Sequence, residues 1–174
     1  MLEEGYAAVT SRRVAARAGL KPQLVHYYFR TMDDMFLAVY RRRVEEGLER
    51  QAQALESAQP LWALWDFSRD PQGTALTMEF VALANHRKAI RTEIAASADR
   101  FRLEQLSGFQ TLLARYDVDA DQWPPIVCTV LMSSISRFLV IEHETLGLSS
   151  GHAETVAFVE GFIRRLEGDR RANA

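Results

Sequence analysis

The sequence predicts an all-α chain with short helices at its amino end and long helices after them. Three observations carry that expectation. Apolar residues recur at spacings of three and four along the whole chain, the period of a helix with one buried face. Val, Ile and Thr nowhere alternate with polar residues over the length of a strand. Turn-forming residues then cut the chain at Gly5, Gly19 to Pro22, Pro60, Asp70-Pro71 with Gly73, Asp117 to Pro125, and Gly147 to Gly151. With 174 residues and 48% of them apolar, the chain can bury a substantial core.

The expected helices are 11–18, 22–29, 32 to about 58, 61–68, 73–85, 88–116, 126–145 and 153–166. Thr10 or Ser11 can cap the first, because a side-chain oxygen there accepts an orphan backbone N–H. Val14, Ala15 and Ala18 share its inward face, and Gly19 suits the left-handed conformation that ends a helix. Pro22 fits the first position of the second helix, where its missing N–H is no loss. Two short helices joined by so short a turn have the spacing of a helix-turn-helix. On the second, Leu24, Val25, Tyr28 and Phe29 are expected to pack inward. Gln23, His26, Tyr27 and Arg30 are left outside, where donors, acceptors and rings suit base edges and phosphates.

Charge separates the two parts of the chain. Residues 1–43 hold eight Lys or Arg against four Asp or Glu, a net +4, whereas residues 44–174 hold 13 against 19, a net −6. A basic module on an acidic body lets only one end approach phosphate. The expected domains are therefore 1–43, which contacts DNA, and 44–174, the body.

The run Gly5-Tyr6, Thr10-Ser11, Val14-Ala15, Ala18-Gly19-Leu20, His26-Tyr27-Tyr28-Phe29 and Asp33-Asp34-Met35 resembles the TetR family of bacterial transcriptional regulators. The resemblance implies an amino-terminal helix-turn-helix DNA-binding domain on a larger helical body that binds an effector and dimerises. It implies that Thr10, Ser11 and Arg12 touch the DNA backbone, and that Lys21, Pro22, Gln23, His26 and Tyr27 face the major groove and its flanking phosphates. Gln23 is the expected base reader, since an amide pairs bidentately with adenine. Two positions depart from the family pattern. His26 stands where tyrosine is usual, and Met32 where a lysine usually contacts phosphate, with Arg30 a possible substitute. Met1 to Glu4 resemble the last turn of the family's first helix, most of which this sequence lacks.

In the body, Trp62, Trp65, Met78, Phe80, Phe101 and Phe109 are the expected walls of an effector pocket, although each also has the spacing of a core residue. The helix 126–145 is apolar on more than one face and must be covered on both. A partner subunit is the economical cover, so Val127, Val130, Phe138 and Ile141, with Val159, Phe162 and Ile163 of the last helix, are the expected homodimer interface. A two-fold dimer places two recognition helices about one DNA turn apart, hence a palindromic operator.

Other chemistries find little support. The lone Cys128 sits in an apolar run and is expected to be an inert, buried thiol. No charged-then-apolar leader and no apolar run of about 18 residues is seen, which leaves the cytoplasm as the expected compartment and no membrane partner. Gly147-Leu148-Ser149-Ser150-Gly151 spells the nucleophile-elbow pattern, but that motif needs a strand before it. No Glu has a His three residues later, so a carboxylate di-metal centre is not expected, and His143 between Glu142 and Glu144 cannot converge with them on a helix. No catalytic group, metal or cofactor is expected. The resemblance implies a repressor released from a palindromic operator by a small-molecule effector. The alternative is a helical dimer of the same kind that binds a small molecule or protein with weakened or lost DNA binding.

Overall fold

The computed structural model describes residues 1–171, and every regular element among them is helical. A short 3-10 turn, Tyr6–Ala8, precedes α1 (Ser11–Ala18), α2 (Pro22–Tyr28), α3 (Met32–Glu56), α4 (Pro60–Ser68), α5 (Pro71–Ala84), α6 (Lys88–Arg115), α7 (Pro125–Ile141) and α8 (His152–Glu167). α7 runs on into a π turn, Glu142–Leu146. Four helices begin earlier than expected, at Pro60, Pro71, Pro125 and His152, three of them at a proline. Proline is a good first helical residue, because the N–H it lacks has no partner there in any helix.

The described chain forms two compact units. One comprises residues 1–46 with 75–98, the other 47–74 with 99 onward, and α3, α5 and α6 contribute residues to both. In the first unit, Phe36, Phe80, Leu83, Ala84 and Ile90 form a core, with Tyr6, Met32 and Tyr40 packed against it. The Tyr40 and Phe80 rings meet at 4.9 Å. Arg41 makes a two-pronged pair with Glu93 at 2.9 and 2.8 Å, and its guanidinium holds the Glu93 carboxyl below the usual carboxylate range. The Tyr6 N–H donates to Glu79 Oε2 at 2.6 Å, and Arg87 pairs with Asp33. These contacts hold residues 75–98 to the helices that precede them.

The second unit is built around Leu61, Trp62, Leu64, Trp65, Phe109, Leu112, Leu113, Leu139 and Ile163. Its polar fastening centres on Glu167, whose carboxylate accepts the N–H groups of Leu61 (2.9 Å) and Trp62 (3.2 Å). One distant carboxylate thereby caps the first turn of α4, where its charge also suits the helix dipole. The Tyr116 hydroxyl donates to the same carboxylate at 2.6 Å. Burial, and then that bond to an anion, push the Tyr116 phenol up to about 12. Trp62 Nε1 donates to the Gly168 carbonyl at 3.1 Å, Trp65 Nε1 reaches Glu160 at 3.3 Å, and Arg170 lies over the Trp62 ring at 4.7 Å. Both indole N–H groups are thus satisfied.

The segment Pro125–Leu146, 22 residues with an 18-residue window of mean hydropathy 1.6, is long and apolar enough to cross a membrane by length and composition. This corrects the expectation that no such stretch exists. Its hydroxyls are less polar than the sequence suggests, because they bond backward within the helix: Thr129 Oγ1 to Pro125 O at 2.8 Å, Ser133 Oγ to Thr129 O at 2.9 Å, and Ser136 Oγ to Met132 O at 2.6 Å. Only 22% of its apolar window is buried. Cys128 is half-buried, and burial pushes its thiol up.

Candidate nucleic-acid interface

The turn between α1 and α2 is set by backbone chemistry. Thr10 precedes α1 in an extended conformation, and its side chain accepts the Arg13 N–H at 3.3 Å. Gly19 ends the helix at φ 66°, ψ 27°, in the left-handed region that disfavours a Cβ. The Leu20 N–H then reaches back to the Ala15 carbonyl at 2.9 Å, which satisfies an orphan acceptor of the helix end. Lys21 and Pro22 start α2 at once. Ala15, Val25 and Met35 form the small core that locks the two helices to the start of α3, with Val14, Phe29 and Met32 around it. A reciprocal box caps α3: the Thr31 N–H donates to Asp34 Oδ2 at 2.9 Å, and the Asp34 N–H to Thr31 Oγ1 at 3.1 Å.

Thr10, Arg12, Lys21, Pro22, Gln23, His26, Tyr27 and Arg30 are all exposed, and Ser11 is half-buried. All of them lie on or beside α1 and α2. Arg12, Lys21 and Arg30 make no ion pair among the described residues, whereas Arg13 and Arg17 on the same helix pair with Glu4 and Glu3. The α2 pattern needs one correction. Only Val25 is buried and Phe29 half-buried, while Leu24 is 39% and Tyr28 is 70% exposed. A helix of seven residues buries one narrow stripe, so the expected inward set of four was too wide. Tyr28 instead stands edge-on to Tyr27 with ring centres 5.2 Å apart, adding a second exposed aromatic that sequence reasoning had assigned to the core. The adjacent aromatic pair at the helix end was the signal for it, since two neighbouring residues cannot both face a narrow core.

Met32 is half-buried and packs against both cores of the first unit. Its thioether fills the position expected to carry a phosphate-binding ammonium.

The expected effector-pocket residues are divided between the two units. Trp62, Trp65 and Phe109 are fully packed in the core of the second unit, and Phe80 in that of the first. Met78 is exposed, and Phe101 is half-buried with its ring close against Gly47. Large rings at core spacing are taken up by the core first. The second unit does carry an open groove of about 400 Å³ between α3 and α6, lined by Gln51, Ala52, Leu55, Glu104, Ser107, Gly108, Thr111 and Leu112.

Of the expected interface residues, Val127, Val130 and Phe138 are exposed, at 46%, 37% and 59%, and Ile141, Val159 and Phe162 are half-buried. Ile163 is the exception. It is 1% exposed and part of the core of its own subunit, so it has no surface to offer a partner. The face also includes Ile126, Leu131 and, on α8, Phe158 at 73% exposure. Gly147 and Gly151 bracket the loop 147–151 in left-handed conformations, and a π turn rather than a strand precedes it. His143 is exposed and contacts Glu144 at 3.1 Å. His152 contacts Glu142 at 2.8 Å, and among the described residues no group of three or more His, Cys, Asp or Glu converges on one point.

Residues 1–39 match the family of bacterial regulatory proteins, tetR family. Over the whole chain the fold is similar to the crystal structure of a TetR-family transcriptional regulator from Rhodococcus sp., with a TM-score of 0.69, 16% sequence identity, and coverage of 95% of this chain and 92% of that one. No curated protein matches the sequence.

Proposed function

For a chain that belongs to the TetR family through its amino-terminal domain, and is thereby a transcriptional regulator, we propose that it is a repressor released from a palindromic operator by a small-molecule effector. The observation that carries this reading is the exposed polar face of α2. Gln23, His26 and Tyr27 stand out from a helix whose other side is fixed by Val25, and Arg12, Lys21 and Arg30 beside it have no anionic partner among the described residues. Arg12, Lys21 and Arg30 neutralise phosphates, and Gln23 reads a base. α7 and α8 of two subunits cover one another's apolar faces, so that two such helices meet successive turns of DNA. The effector acts by binding one spacing of these helices better than the other. The cytoplasm, where the DNA is, is the proposed compartment.

A mobility shift across the DNA around its own gene tests the reading. A salt-dependent shift on a palindromic site is expected, with Gln23→Ala lowering specific affinity by about 1–3 kcal/mol and leaving dimerisation intact. Unchanged operator preference in that variant would remove Gln23 as a base reader. A second reading, a dimer with weakened DNA binding that serves as a small-molecule or protein binder, is favoured by the packed Met32. Its mark is dimerisation with no salt-dependent shift.

A further inference from the structure

We propose that the turn between α5 and α6 belongs to the nucleic-acid interface, with Lys88 contacting a backbone phosphate of double-stranded DNA and Arg87 neutralising Asp33 beside it. This role deepens the DNA-binding reading above and rests on it.

Two ion pairs locate the turn. Arg87 pairs with Asp33 in the first turn of α3, and further on Arg41 of α3 pairs with Glu93 of α6. The numbers rise together on both helices, so α6 runs alongside α3 in the same direction. Its start therefore lies at the end of α3 that joins α2, with only residues 29–31 between those two helices. Packing agrees. Met32, the first residue of α3, packs against the core that Leu83, Ala84 and Ile90 form on either side of the turn, and also against the core that holds Val25 of α2. The turn itself is braced, because Arg91 Nε and Nη2 donate to the Ala84 and Asn85 carbonyls at 3.3 and 3.2 Å, the open end of α5.

Asp33 and Asp34 suit the positive end of the α3 dipole, yet two carboxylates there repel a phosphate lying along the end of α2. Asp34 is engaged with the Thr31 N–H. Asp33 is answered by Arg87, 54 residues away in sequence. The two side chains are 32% and 43% exposed, and a pair so open to water adds little to stability. Its larger effect is on the field that DNA meets. The bond occupies one terminal nitrogen of Arg87, which leaves further donors of the fork for an anion. Lys88 is exposed and makes no ion pair among the described residues. With Arg30, also exposed and without an ion pair among them, it places two free cations at the α2 end of α3. Such groups neutralise phosphates and release counterions whatever the base sequence.

Fluorescence anisotropy of the full chain on labelled double-stranded DNA from around its own gene, titrated with salt, tests this role. Lys88→Ala is expected to reduce the log–log salt slope by about 1 per bound subunit, and to weaken a random-sequence duplex as much, because a phosphate contact carries no sequence preference. Arg87→Ala and Asp33→Asn are expected to move affinity in opposite directions, about threefold weaker and about threefold tighter per subunit. The first uncovers a carboxylate beside the phosphates, and the second frees a guanidinium. A pair that only braces the fold would instead make both variants weaken binding alike, with matching falls in melting temperature. Arg42→Ala, about 14 Å beyond Asp33 along α3, is the control and is expected to leave the slope in place. A slope unmoved by Lys88→Ala, a slope lowered as much by Arg42→Ala, or effects of Arg87→Ala and Asp33→Asn in the same direction would overturn the inference. Any of these in a parent that binds DNA refutes the role of the turn alone, whereas a parent that binds no duplex at low salt refutes the DNA-binding reading and this role together.

Discussion

Gly19→Ala isolates the backbone strain that the helix-turn-helix geometry depends on. At φ 66° the residue occupies left-handed space, which costs an L-residue about 1–2 kcal/mol. A Cβ placed there would meet no atom within 4 Å, so no steric term adds to this. The substitution also stiffens the unfolded chain, which returns about 0.4–1 kcal/mol. The net loss is then about 1 kcal/mol. Gly19→Asn should lose less, because Asn tolerates this region, and Gly19→Val should lose more. Native-state hydrogen exchange at the Leu20 amide, which bonds the Ala15 carbonyl across this turn, reads the effect locally even if the two units unfold separately. Protection should fall about fivefold in the alanine variant. Protection equal to or above that of the parent would refute the assignment of a left-handed turn here, and with it the orientation of α2.

Met32→Lys should steepen the salt dependence of DNA binding by about 1 in log–log slope. It should also cost stability, by about 1–2 kcal/mol in a urea titration, because the thioether packs against both cores of its unit. Phe138→Glu should weaken dimerisation at least about 100-fold, by desolvating a charge in the interface. The ring is 59% exposed in the single chain, so helicity should persist, and sedimentation equilibrium would reveal the monomer. For Tyr116, the folded phenol titrates near 12 and the unfolded one near about 10. The folded state therefore holds the proton longer, so this group's stabilisation is complete below about pH 10 and is lost as pH rises toward 12. The stability difference between parent and Tyr116→Phe, followed by urea unfolding across that window, should shrink as pH increases.

Helix positions were largely legible because they depend on local chemistry. Gly19, Pro22 and the 3.6-residue period act within a few residues, and the structure places α1 within the bounds they imply. The errors arose where the answer depends on distant residues. The packing of Trp65 depends on Phe109, Leu139 and Ile163, none of them near it in sequence. The same applies to Ile163, which has the spacing of an interface residue but points into its own subunit. The Glu167 cap on α4 joins positions more than 100 residues apart and has no local signature. The burial of Gln51 is hidden for a similar reason. A glutamine in a long polar helix looks like surface, and only the close approach of α6 at Gly47 and Gly108 buries it. On α2 the apolar pattern was readable, but its width was not, since a short helix against a small core hides Val25 and leaves Leu24 and Tyr28 in solvent.

The most direct test of the account is fluorescence anisotropy of the full chain on labelled DNA from around its own gene, titrated across salt concentrations. The account predicts specific binding to a palindrome with a steep negative slope of log affinity against log salt, reduced by about 1 in Lys21→Ala. Binding that is absent at low salt, or a slope unmoved when Lys21 is removed, would contradict the placement of α2 and its flanking cations on DNA.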